Sequence, residues 1–239
     1  MLLKEIFNRT YTIITQIDFH SFEEKLSFAL AGILKYSNEK FSAGIALEIA
    51  LCRNNTLTIL IISSNELGSD GGKALADALC KNNSLTSLDL TNNNLGPSGG
   101  KAIADALIRN NSLIHLNLSS NQLGCEGGKA LANALCKNNT LTTLNLTGNR
   151  LGSDGRKALA NALHKNNGLT SLDILYNGLE NDIGIALAIS LHVNATLNSL
   201  QVNGNQLGSE AGKAFADALD KNNGLTSLDL SYNIIGSDA

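Results

Sequence analysis

Four cysteines and four histidines are the residues best suited to metal or nucleophilic chemistry, and their spacing argues against both. Cys136, His164 and His192 recur at equivalent places 28 residues apart, which invites a zinc site. Helices that carry such residues pack about 8–10 Å apart, whereas Zn–ligand bonds are about 2 Å long. Side chains on successive helices cannot converge on one ion, so no metal is expected. The same spacing disfavours a Cys52–Cys80 disulfide. No cysteine has a histidine beside it on a common strand face, which leaves a Cys–His nucleophile unsupported. Gly71-Gly72 and its counterparts stand at helix starts, where phosphates can bind, but the Walker spacing is missing and they read as turn glycines. No cofactor is expected, and the chain reads as non-enzymatic.

The composition points the same way. Of 239 residues, 42 are Leu and 31 are Asn, aromatics are 4 % and Trp is absent. The 43 % of hydrophobic residues excludes broad disorder. No apolar run approaches the ~18 residues of a membrane span. A net charge of −3 gives no general attraction to nucleic acid. Lys4, Glu5 and Arg9 interrupt the apolar residues of the N-terminus, which therefore does not read as a secretory signal. Cys125 and the other thiols are too scattered for a disulfide framework. The frequent Asn-x-Ser/Thr triplets are by-products of a repeated Asn, and a cytoplasmic location is expected.

The Leu and Asn excess is periodic. Leu57 recurs every 28 residues through Leu225, Leu60 through Leu228, and an apolar residue from Ile62 through Leu230. Asn65 recurs through Asn233, and Leu67 through Ile235. Leu88 and Leu90 alternate with Ser87, Asp89 and Thr91, a strand with one apolar face. The period then changes: Ala74, Leu75, Ala78 and Leu79 form one side of a helix, with Lys73 and Asp77 opposite. Ser69 or Asp70 is placed to cap that helix, and Asn82-Asn83 to end it. A strand–turn–helix unit of this size cannot bury its own face, so the units must stack. The recurring Asn lies where each strand turns away; a buried amide there would bond the turn's backbone and form a ladder.

The pattern L-x-x-L-x-L-x-x-N-x-L resembles the leucine-rich repeat. The repeat length and the tail from Leu67 to Leu79 are similar to the ribonuclease-inhibitor subtype, which includes ribonuclease inhibitor, the Ran GTPase activator and NOD-like receptors. The resemblance covers about 57–239 closely and 43–56 loosely. It implies an α/β fold, a curved solenoid or horseshoe with parallel strands on the concave side and helices on the convex side. Spacing supports that curvature, because strands lie about 4.8 Å apart and helices about 8–10 Å. The expected organisation is an N-terminal helical cap over 1–42, with Ser21 and Glu24 as its capping box. A leucine-rich repeat domain over 43–239 follows, with seven strand-bearing units, the last incomplete. That uncapped edge suggests a monomer or a weak dimer.

Function should then sit where the concave face departs from its small polar background. The candidate partner-binding residues are Ile59 and Ile61 at the first strand, His115 and Arg150 in the middle, and Leu175, Tyr176 and Tyr232 later. With them stand the strand residues Asp89, Asn117, Asn145, Asp173, Gln201 and Asp229. Aromatic and Arg residues are the usual interface anchors. On the convex side Ile185, Ile189 and Val193 replace an otherwise charged stripe, either as a contact or buried by an altered helix phase. The expected partner is a protein. Near-identical Asn-rich repeats resemble leucine-rich-repeat effectors of intracellular bacteria, Legionella-like ones among them, which implies action on a host protein in the host cytosol. The alternative implied by likeness to the Ran activator is regulation of a small GTPase.

Overall fold

The computed structural model describes residues 40–236. The Ser21/Glu24 capping box and most of the expected cap lie outside the described residues. Helix α1 (Lys40–Arg53) is followed by seven strands alternating with six helices. In chain order these are β1 (Ile59–Ile61), α2 (Gly68–Leu79), β2 (Ser87–Asp89), α3 (Gly96–Leu107), β3 (His115–Asn117), α4 (Gly124–Leu135) and β4 (Thr143–Asn145). The chain continues through α5 (Gly152–Leu163), β5 (Ser171–Asp173), α6 (Asn181–Leu191), β6 (Ser199–Gln201), α7 (Ser209–Leu219) and β7 (Ser227–Asp229).

The strands form one parallel sheet in the order β1 to β7, and each residue pairs with the one 28 positions on, as in Ile59 with Ser87. The result is the expected curved solenoid, strands concave and helices convex. In β1–β6 the middle residue is buried and its two neighbours face the concave side. Those leucines pack on the apolar stripes of the helices in one continuous core. In the seventh unit, the last among the described residues, Leu225, Leu228 and Leu230 are only half-buried.

The asparagine expected at the strand exit is a ladder. Asn149 Nδ2 donates to Leu118 O at 2.8 Å in the preceding unit and to Leu146 O at 2.9 Å in its own. Its Oδ1 accepts the Asn121 N–H at 2.9 Å. Equivalent bonds run from Asn93 to Asn205.

A second ladder runs along the helix ends. The Asn82 N–H closes the last turn of its own helix on Ala78 O at 2.9 Å, and its Nδ2 also reaches the preceding unit, donating to Leu51 O at 2.8 Å and Asn54 O at 2.9 Å. Its Oδ1 accepts the N–H groups of Ser84 and Leu85. The Leu51 carbonyl is one of the orphans that a helix C-terminus leaves, so each unit satisfies its neighbour's helix. Asn110, Asn138, Asn166, Asn194 and Asn222 repeat the arrangement.

The helix starts differ from expectation. Helices α2–α5 open on Gly68, Gly96, Gly124 and Gly152, all with positive φ, and the leucine before each makes no side-chain cap. Ser69 and Asp70 therefore do not cap α2; Asp70 accepts Lys73 Nζ at 3.0 Å instead. The Gly68 N–H is satisfied by Asn93 O of the next unit at 2.9 Å. Nor are Gly71-Gly72 turn glycines. A methyl group on Gly72 would fall 2.9 Å from Gly99 Cα, so the pair permits close approach of neighbouring helices.

The repeat changes from α5 onward. Arg156 stands where the second glycine would be; it donates from Nε to Gly152 O at 2.9 Å and from Nη1 to Asn177 O at 3.4 Å. Helix α6 then starts after an extended Glu180. Asn181 Oδ1 accepts the Gly208 N–H at 2.7 Å, capping the next helix from across the unit boundary.

Candidate protein-binding surface

Short strands position the concave side chains, and most of what they present is already engaged. Asp89 Oδ1 accepts the Thr91 N–H at 2.8 Å. Asn117, Asn145, Asp173 and Asp229 do the same for Ser119, Thr147, Leu175 and Ser231. Each is an Asx turn that closes its strand exit. These side chains also cross-link the column: Asn117 Nδ2 donates to Asp89 Oδ2 at 3.3 Å, and Thr147 Oγ1 to Asp173 Oδ1 at 2.8 Å. They are all half-buried. Ser231's hydrogen bonds hold the Asp229 carboxyl below its ordinary range. Gln201 is too long for the turn and leans to Ser199 and Ser227 through Nε2 at 3.4 and 3.5 Å.

The remaining candidates separate into three groups. Ile59 and Ile61 flank Leu60 on β1 and are 53 % and 52 % exposed. His115 and Arg150 are exposed in the middle of the arc. At the far end Leu175 is half-buried, while Tyr176 is 60 % and Tyr232 81 % exposed. The structure does not bring the first and third groups together; they lie at opposite ends of the sheet. Arg150, Tyr176 and Tyr232 have φ of 53°, 49° and 52°, a region that L-residues with large side chains rarely adopt. The backbone is set by the repeat: Ser64, Asn92 and Gly148 have positive φ at the tyrosine position of other units, and Glu66, Asn94 and Gln122 at the Arg150 position.

The convex alternatives are resolved. The helix phase of α6 is regular, with Ile183, Leu187 and Leu191 in the core. Ile185 is half-buried, whereas Ile189 and Val193 are exposed. Burial accounts for only part of that apolar stripe.

Catalytic and metal chemistry find no constellation here. Among the described residues no three His, Cys, Asp or Glu side chains group to hold a metal ion. Cys52, Cys80, Cys125 and Cys136 are free thiols. Burial pushes the Cys52 thiol above its ordinary range, against an opposing pull from Lys81. No helix among the described residues is long and apolar enough to cross a membrane.

A family model described as "Leucine Rich repeat" matches seven segments: residues 53–76, 81–104, 109–132, 137–160, 165–188, 193–216 and 221–239. No curated protein matches the chain. Among solved structures it is similar to leiomodin-1 actin-binding site 2, with 20 % identity, TM-score 0.54, and coverage of 77 % of this chain and 92 % of that one. The tropomodulin C-terminal domain of Caenorhabditis elegans matches at 16 % identity and TM-score 0.51, covering 70 % and 92 %. LegL7, a leucine-rich repeat-containing protein from Legionella pneumophila, matches at 22 % identity and TM-score 0.50, covering 82 % and 71 %. Identities this low speak to fold alone.

Proposed function

The chain belongs to the leucine-rich repeat family, and on that premise we propose that it binds a partner protein on its concave face. The observation that carries this reading is the contrast on that face. Small polar residues are tied into Asx turns, whereas Ile59, Ile61, Tyr176 and Tyr232 stand out into solvent. Large side chains that are exposed on an otherwise small polar surface supply the buried area and anchoring of an interface. His115, Arg150 and Leu175 complete the set, with the second atoms of Asp89, Asn117, Asn145, Asp173, Gln201 and Asp229 as a polar rim.

The test is affinity capture from a eukaryotic lysate with quantitative mass spectrometry. A specific partner should be retained by the wild type and lost when Ile59 with Ile61, or Tyr176 with Tyr232, is replaced by alanine. Retention by both double variants rejects the concave-face reading.

Finer features of this reading are the ribonuclease-inhibitor-like subtype, supported by the unbroken 28-residue spacing, and a role as a bacterial effector on a host protein. The Asn-rich, near-identical repeats support the latter. The alternative, regulation of a small GTPase, has the exposed Arg150 as its support. Stimulated GTP hydrolysis across a panel of small GTPases, lost in Arg150→Ala, would favour it. Weak dimerisation through β7 is tested by light scattering at high concentration.

A further inference from the structure

The strongest unassigned feature is a repeated Asp-x-x-Tyr at the far end of the concave face. Asp173 with Tyr176 and Asp229 with Tyr232 occupy identical places two units apart, and the unit between them offers Gln201 and Gly204. We propose that this end takes a basic, proline-rich segment of a partner protein in polyproline II conformation, its prolines against Tyr176 and Tyr232 and its cation between Asp173 and Asp229. This names the partner class for the surface described above and rests on that reading.

Gly204 prepares the platform. A methyl group there would fall 2.6 Å from Cδ1 and 2.9 Å from Cζ of Tyr176, so the ring lies down on the bare backbone of the next unit. It remains 60 % exposed while seated, which gives a rigid aromatic surface at little cost in side-chain entropy. Both tyrosines hold φ in the left-handed region, as Ser64, Asn92, Ser120, Gly148 and Gly204 do at the same place in the other units, so the turn of the repeat fixes the backbone from which each ring projects.

The spacing selects the ligand conformation. Strands two apart are separated by about 9.6 Å. One polyproline II turn of three residues advances about 9.3 Å. Two α-helical turns advance about 10.8 Å, and alternate residues of a β-strand only about 6.6 Å. A polyproline II segment running along the solenoid axis therefore presents one residue per turn to each tyrosine, and aromatic grooves are the usual dock for such segments.

Charge selects its composition. Asp173 Oδ1 is used by the Leu175 N–H at 3.2 Å and Thr147 Oγ1 at 2.8 Å, and Asp229 Oδ1 by the Ser231 N–H at 2.8 Å. Oδ2 of each carboxylate is left for a cation, and the concave positions of β5 to β7 carry no Lys or Arg. An arginine, with its planar fork of donors, suits such a carboxylate.

The test is fluorescence anisotropy of a labelled synthetic peptide carrying Pro-x-x-Pro beside an arginine, titrated with the full chain. Saturable binding is expected, weakened roughly tenfold or more by Tyr176→Ala or Tyr232→Ala, as for an aromatic hot spot, and nearly retained in Tyr176→Phe. Exchanging prolines for alanine should abolish binding, and Arg to Glu in the peptide should weaken it. Both tyrosines are exposed, so unchanged thermal midpoints will show that the variants fold. Failure of the peptide to bind, indifference to its prolines, or full binding by both alanine variants overturns the inference. If the peptide fails while lysate capture still depends on Ile59 and Ile61, the concave-face reading stands without this one; if capture is also indifferent to both double variants, both fall.

Discussion

Replacing Asn149 with alanine isolates what one rung of the strand-exit ladder contributes. The side chain is fully buried. Nδ2 donates to Leu118 O, Leu146 O and Thr147 O, and Oδ1 accepts the N–H groups of Asn121 at 2.9 Å and Leu123 at 3.4 Å. The losses are unequal. Leu118 O keeps a bond from Asn121 Nδ2 at 3.0 Å, and Leu146 O keeps one from Asn177 Nδ2 at 2.9 Å. The two N–H groups keep nothing. One orphaned buried donor costs about 1–3 kcal/mol, and the longer bond to Leu123 adds a fraction of that, so the variant should lose about 2–4 kcal/mol. Because stacked repeats open locally, the sharpest assay is hydrogen exchange, read at the Asn121 and Leu123 amides, beside thermal melting. Asn149→Asp adds a check on sign. Its carboxyl would be buried against three carbonyl oxygens, which raises its folded pKa above the unfolded value. Its deficit relative to wild type is then largest above the folded pKa and shrinks as pH falls through it. An unchanged melting midpoint with full protection at both amides would refute the ladder as a source of stability.

Three further outcomes follow from the same bonds and contacts. Asn138→Ala removes a rung of the helix-end ladder, leaving the N–H groups of Thr140 and Leu141 without an acceptor; denaturant unfolding should show a loss of about 1–3 kcal/mol, and no loss would reject that ladder. Gly72→Val drives a side chain into Gly99 Cα of the neighbouring helix and should cost about 1–3 kcal/mol by overpacking, seen as a lower melting midpoint. Ser231→Ala removes the largest cause of the depressed Asp229 pKa, so an NMR titration should find that carboxyl moved back up. The stability that Asp229 adds in the wild type is present above its unfolded pKa and disappears as pH falls through the folded one.

Repetition made the core legible. Leu60, Leu88 and Leu116 lie in register in the sequence, and they must lie in register in the sheet because each strand pairs with its copy 28 residues on. The strand-exit asparagines followed from the same logic, since a turn that recurs presents recurring backbone groups. Contacts across unit boundaries were harder to read. Ser69 and Asp70 have the chemistry of an N-cap, but the Gly68 N–H is taken by Asn93 O of the next unit, which no local rule anticipates. Asn82 is legible as a helix terminator, and its N–H does close that turn on Ala78 O, but its bonds to Leu51 and Asn54 join residues 31 and 28 positions apart. Gly71-Gly72 resembles turn chemistry until the neighbouring helix is in place against it.

That distinction bears on where recognition can reside. The column Asp89, Asn117, Asn145, Asp173 and Asp229 has the residue types of a binding surface, and sequence reasoning placed it among the candidates. In the folded chain each of those side chains has an oxygen committed to a backbone N–H two residues on. Exchanging Asp for Asn there preserves the turn, because either side chain supplies the accepting oxygen, and changes only the atom left over. The column can therefore vary its charge without disturbing the stack. It offers a neutral amide at β3 and β4 and a carboxylate at β2, β5 and β7, while Ile61 at β1 and Gln201 at β6 give up the turn. Charge on the concave face is thus a free parameter of the fold, whereas bulk is not: the Tyr176 ring lies where a side chain on Gly204 would fall. A bulky side chain that needs a bare residue in the neighbouring unit is a better marker of function than a charge the repeat tolerates everywhere, and by that criterion the tyrosine end of the arc carries more weight than the acidic column.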